Sequence, residues 1–147
     1  WTAWSNERSL TKNNKGKING KLNREGVAQL LISAARNKTK ESKKGVTAKL
    51  VSLIASGQSS DGSWKAGGQL RSQKRPGGES IDATTLWLAL ALAIDGKADQ
   101  QVKKAIARAE RRKRPKSTEW FTTRLLVAQQ LKDAATTKKL IATIKAQ

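Results

Sequence analysis

The run Leu86-Trp87-Leu88-Ala89-Leu90-Ala91-Leu92-Ala93-Ile94 sets the strongest limit on what this chain can become. It is apolar at every position, so no face of it can be given to water. A helix of this kind has to be surrounded by protein. It falls far short of the roughly 20 residues needed to span a bilayer, so no membrane span is expected and the cover must come from elsewhere in the protein.

The sequence offers that cover as amphipathic helices. Val27, Leu30, Leu31, Ala34 and Ala35 share one helical face after Asn23, a good N-cap, and this first helix fades at Asn37. Lys38–Lys44 is a charged connector. Val46, Leu50, Leu53 and Ile54 form the stripe of a second helix that stops at Gly57. Between Gly57 and Glu79 there is no periodicity. Gly67–Gly68, Pro76 and Gly77–Gly78 point to a long loop, with Trp64 arguing for order over its first third. Ser80 is the expected cap of the third helix, with Asp82 in its first turn, and Asp95–Gly96 ends it. A fourth helix has only the narrow stripe Val102, Ala105, Ile106 and Ala109 and is otherwise basic; Pro115 closes it. Ser117 caps a fifth, broadly apolar helix carrying Phe121, Leu125, Leu126, Val127 and Ala128. After a break near Lys132–Asp133, Ala134, Thr137, Leu140, Ile141 and Ile144 line one side of a sixth.

These patterns predict an all-α domain over residues 23–147, built as three helical hairpins in which buried-type and exposed-type helices alternate. Residues 1–22 read as a basic irregular arm, with Trp1 and Trp4 as its large apolar anchors. Two rings of helices or a stacked-hairpin solenoid would both give the alternation.

Composition narrows the chemistry. Lys+Arg 30 against Asp+Glu 11 gives a formal charge of +19, which favours polyanionic partners and opposes self-association. Without Cys there is no disulfide and no thiolate nucleophile, and without Cys and His a zinc site is not expected. No cofactor is implied, and no P-loop, dinucleotide fingerprint or Ser–His–Asp set can be assembled. Met is absent. The expectation is therefore a processed product, an excised domain or part of a longer protein, and a processed start leans toward a location outside the cytoplasm.

Gln58-Ser59-Ser60-Asp61-Gly62-Ser63-Trp64 resembles the Q-x-x-D-G-x-W core of the QW motif, which marks the repeats of the squalene cyclase and prenyltransferase family. Ser80-Ile81-Asp82-Ala83-Thr84-Thr85 followed by the apolar run is similar to the inner helix after a QW loop, and Glu119–Leu126 is similar to another inner-helix start. The resemblance implies an α/α toroid, here a partial ring, with Gln58, Asp61, Gly62 and Trp64 as a structural staple. In that reading the Gln58 amide serves backbone groups of helix ends, and the Trp64 ring covers it. The same resemblance argues against the family's chemistries. On the Asp-x-Asp-Asp acid of the cyclases, Glu79-Ser80-Ile81-Asp82 puts Ile81 at the proton donor, and an alkyl group donates no proton. The Cys and His ligands of the zinc transferases are missing. An aromatic-lined cavity for cations has little to draw on, with five Trp, one Phe and no Tyr.

Two groups of residues are candidates for function. In such toroids the inner-helix starts gather at one mouth, which would bring Arg24, Glu25, Asp82, Glu119, Trp120 and Arg124 to one polar pocket; the acids are equally explained as first-turn residues favoured by helix dipoles. The cluster Lys103, Lys104, Arg108, Arg111, Arg112, Lys113 and Arg114 is either a solvated outer face or a polyanion patch. Three functions follow, in order: a non-catalytic binding or scaffold module, whose partner is another protein or the remainder of its own toroid; a sequence-independent binder of an anionic polymer such as nucleic acid; and a carbohydrate-acting enzyme using mouth carboxylates.

Overall fold

The computed structural model describes residues 24–37, 46–66, 76–96, 98–111 and 117–146. The arm 1–22, the Asn23 cap, the connector 38–44, the basic positions Arg71, Lys74 and Arg75, and Arg112, Lys113, Arg114 and Pro115 lie outside the described residues. Within them the protein is all-α: six helices and no strand. They are α1 (Arg24–Asn37), α2 (Val46–Ser56), α3 (Gly77–Asp95), α4 (Asp99–Glu110), α5 (Thr118–Gln130) and α6 (Ala134–Lys145).

The apolar run does what its composition demands. Helix α3 is packed by α1 on one flank and α5 on the other, with α2 and α4 also against it. Leu86, Leu88, Ala89 and Leu92 are wholly inaccessible. Three hairpins result: α1–α2, α3–α4 and α5–α6. The row α1–α3–α5 carries the core, and α2, α4 and α6 are laid against it. The charged helix α4 buries only Val102, Ala105 and Ala109, and α6 buries only Leu140.

Several ends form as expected. Ser117 accepts from the Trp120 backbone N–H at 3.2 Å and caps α5. Gly96 closes α3 in the left-handed conformation, its N–H on the Leu92 carbonyl. Asp133 caps α6 by accepting from Thr136 N–H at 3.0 Å. Two expectations are corrected. The long loop does not reach Glu79, because α3 begins at Gly77 with Pro76 as its N-cap. The Pro76 carbonyl receives Glu79 N–H and Ser80 N–H at 2.9 and 3.2 Å. The two glycines are tolerated there because a first turn has few intrahelical bonds to lose. Ser80 is therefore no cap but a buried interior residue, and Asp82 lies beyond the first turn. Leu126, assigned to a broadly apolar helix, is 37% exposed, since α5 has a neighbour in the inner row on one side only.

Among the described residues no helix is long and apolar enough to cross a membrane.

Candidate functional site

The segment Gln58–Trp64 is folded tightly on itself and then tied to three helices. Ser59 N–H donates to the Ser63 carbonyl at 2.8 Å, and Gly62 N–H to the Ser59 carbonyl at 2.9 Å. Asp61 Oδ1 receives the Ser63 hydroxyl at 2.7 Å and the Ser63 N–H at 3.0 Å. These two bonds, and after them Arg108, hold the Asp61 carboxyl down at about 2.

From this compact turn the side chains reach outward. Trp64 is fully buried. Its ring N–H donates to the Ile54 carbonyl at 2.8 Å, satisfying a last-turn acceptor of α2. Its backbone N–H donates to Thr85 Oγ1 of α3 at 3.1 Å. Gln58 Nε2 donates to the Gly62 carbonyl and to the Gln101 carbonyl of α4, both at 2.9 Å. The work expected of the Gln58 amide at the end of the preceding helix is thus done by the Trp64 indole, while Gln58 reaches the following hairpin.

Gly62 has φ +89° and lies against α4 so closely that an added Cβ would stand 2.4 Å from the Lys104 carbonyl oxygen. Arg108 completes the attachment: its Nε donates to Asp61 Oδ2 at 3.0 Å and its Nη1 to Asp82 Oδ1 at 3.3 Å. Gln101, Lys104 and Arg108 follow one another along a single face of α4. The turn therefore grips that helix at three successive levels.

The candidate mouth residues each take up contacts with a neighbouring element. Arg24 Nη1 donates to the Lys65 carbonyl at 3.1 Å, tying the start of α1 to the residue after Trp64. Thr84 Oγ1 of α3 donates to Glu25 Oε1 of α1. Asp82 is bound by Arg108 from α4. Trp87 Nε1 of α3 donates to Glu119 Oε1 of α5 at 3.0 Å. Arg124 Nε donates to Glu110 Oε1 at 2.8 Å. The Trp120 ring meets Phe121 edge-on, with centroids 5.2 Å apart. Glu25, Asp82, Trp120 and Arg124 are all buried. Thr84, Thr85 and Trp87 were not singled out by sequence. The available signal was a polar pair at the head of an apolar helix, and an indole whose N–H needs an acceptor when covered.

Within the basic cluster, Arg108 is turned inward onto two carboxylates, whereas Lys103, Lys104 and Arg111 are exposed. None of those three is in an ion pair. No three acidic side chains among the described residues are grouped so as to hold a metal ion. Comparison with protein-family models, with curated proteins and with solved structures gives no match to this chain.

Proposed function

We propose that this protein is a non-catalytic binding or scaffold module on the QW-repeat plan, a partial α/α ring that presents surfaces and performs no reaction. The observation that carries the reading is the Gln58–Trp64 turn, whose side chains bond Ile54 and Gln101 and whose Trp64 N–H bonds Thr85, so that it welds the first hairpin to the second. The acids that a catalytic reading would use are engaged in helix–helix contacts: Glu25 with Thr84, Asp82 with Arg108, Glu119 with Trp87. The partner is another protein surface, including further hairpins of the same kind. The exposed positions of α5 (Thr118, Thr122, Leu126, Gln129 and Gln130) carry no charge, which suits a continued row of helices. Purified protein is expected to convert neither squalene nor a prenyl diphosphate above a heat-killed control; turnover of either would overturn the reading.

A second reading, binding of an anionic polymer without sequence preference, is favoured by Lys103 and Lys104 of α4 and Arg111 at its C-terminal end, which stand exposed and in no ion pair. Each phosphate contact contributes about 0.9 to the salt slope on B-DNA. Replacing the three by Gln is expected to flatten the slope for duplex DNA by about two to three, with the helical CD spectrum retained. Arg108 has to be left in place, since it serves the fold. An unchanged slope would remove this reading and leave the first.

A further inference from the structure

Helix α5 is the last of the inner row, with α3 on one side and α6 laid against it. Its exposed positions Thr118, Thr122, Leu126 and Gln129 are spaced by four, four and three residues and so share one face. They cover about 17 Å of helix at 1.5 Å per residue. None is charged, whereas the exposed positions of α4 and α6 are rich in lysine. A shortage of charge marks the centre of a protein interface. The uncharged surface continues onto α6. Leu125 and Ile144 are partly buried against one small core and mark the seam of the hairpin. That core lies on the Phe121 side of Leu125 and on the Leu140 side of Ile144. Thr122, Gln129 and Ile141 lie on the opposite side, so the exposed rows of both helices face one open flank. Leu126 and Ile141 are each 37% exposed there. Lys138 and Lys145 stand one turn either side of Ile141, exposed and in no ion pair among the described residues.

We propose that this flank seats one amphipathic helix of a different protein, three turns or longer, with an uncharged stripe against Leu126 and Ile141 and acidic side chains reaching Lys138 and Lys145. The proposal rests on the first reading, in which the protein presents surfaces and performs no reaction, and it names the partner. Charge selects that partner. A chain of formal charge +19 draws in an acidic helix and repels a second copy of itself. A two-fold contact between copies would also set Lys138 and Lys145 against the same two lysines. The stripe supplies the buried centre of the contact, and the lysines supply its rim and its choice of partner.

Three helical peptides serve as probes on the whole protein: a Leu/Ala stripe flanked by Glu, the same stripe flanked by Lys, and a Ser stripe flanked by Glu. Fluorescence anisotropy gives the affinities, and ¹H–¹⁵N shifts of the backbone amides give the place of binding. The first peptide is expected to bind about tenfold tighter than either of the others, with shifts gathered on α5 and α6. Leu126→Lys separates apolar seating from charge. It should weaken the first peptide about tenfold although it adds a positive charge, whereas attraction to charge alone would tighten binding. Lys138→Gln with Lys145→Gln should weaken it about fivefold and reduce its salt dependence. All three positions are exposed, so the helical CD spectrum should be retained. The proposal is overturned by no preference for the first peptide, by shifts gathered on α4, by an affinity unchanged or tighter in Leu126→Lys, or by a salt dependence unchanged in the double lysine variant. With squalene and prenyl diphosphate still unconverted, the non-catalytic reading would then stand without this partner.

Discussion

Alanine placed at three glycines should produce three different outcomes, and their order tests the packing of the Gln58–Trp64 turn against α4. At Gly77 an added Cβ meets nothing within 4 Å and φ is ordinary. Alanine there removes only unfolded-chain entropy and should stabilise by about 0.4–1 kcal/mol. At Gly96 φ is +74° but the space around the new Cβ is open, so the cost is left-handed strain alone, about 1–2 kcal/mol. At Gly62 φ is +89°, and the Cβ would lie 2.4 Å from the Lys104 oxygen and 2.8 Å from its carbon. Those are backbone atoms of a helix, so relief requires moving α4 or the turn. Adding an overpacking cost of about 1–3 kcal/mol to the same strain gives about 2–5 kcal/mol. Urea unfolding followed by CD measures all three. With a slope of about 1–3 kcal/mol/M, Gly62→Ala should lower the midpoint by roughly 1 M or more, and Gly77→Ala should raise it slightly. If Gly62→Ala costs no more than Gly96→Ala, the close approach of the turn to α4 is wrong.

Trp64→Ala should cost about 3–5 kcal/mol, as the loss of a fully buried aromatic side chain does; a thermal melt essentially unchanged would contradict its place between α2 and α3. Because Asp61 is held at about 2, below its ordinary 3.8, its contribution is complete above about pH 4 and is lost as the pH falls through about 2. Asp61→Asn should therefore flatten the urea midpoint between pH 4 and 2, and an identical pH profile would show that the carboxylate does not contribute. Arg108→Gln should cost more than about 1 kcal/mol, the ceiling for an exposed pair, because Asp82 is almost wholly buried; a loss within a few tenths would return Arg108 to the solvated surface.

The helices were legible because their apolar spacing is local information. So were the ends at Gly96 and Ser117, where one residue type satisfies one helix end. The start of α3 was missed because two glycines weigh heavily against a helix interior and lightly in a first turn. The partners of the candidate mouth residues were illegible for a different reason. Glu25 meets Thr84, eight residues into α3, and Trp87 meets Glu119, so a first-turn acid pairs with a residue well inside the neighbouring helix. No spacing within one helix encodes that pairing. Arg108 looked like its neighbours because its partners, Asp61 and Asp82, are 47 and 26 residues away in sequence.

The grip on α4 at Gln101, Lys104 and Arg108 also bears on how the protein comes apart. The turn belongs to the connection leaving α2, yet it holds α4, whose own apolar contacts are small side chains. Neither of the first two hairpins can open while its neighbour stays intact, so they form one cooperative block. Helix α6, whose one buried residue is Leu140, shows no comparable tie among the described residues. Native-state hydrogen exchange should then divide the chain unevenly: slow, matched protection through α2, α3 and α4, and earlier opening at α6. The unit of stability is larger than the hairpin that the repeat pattern displays.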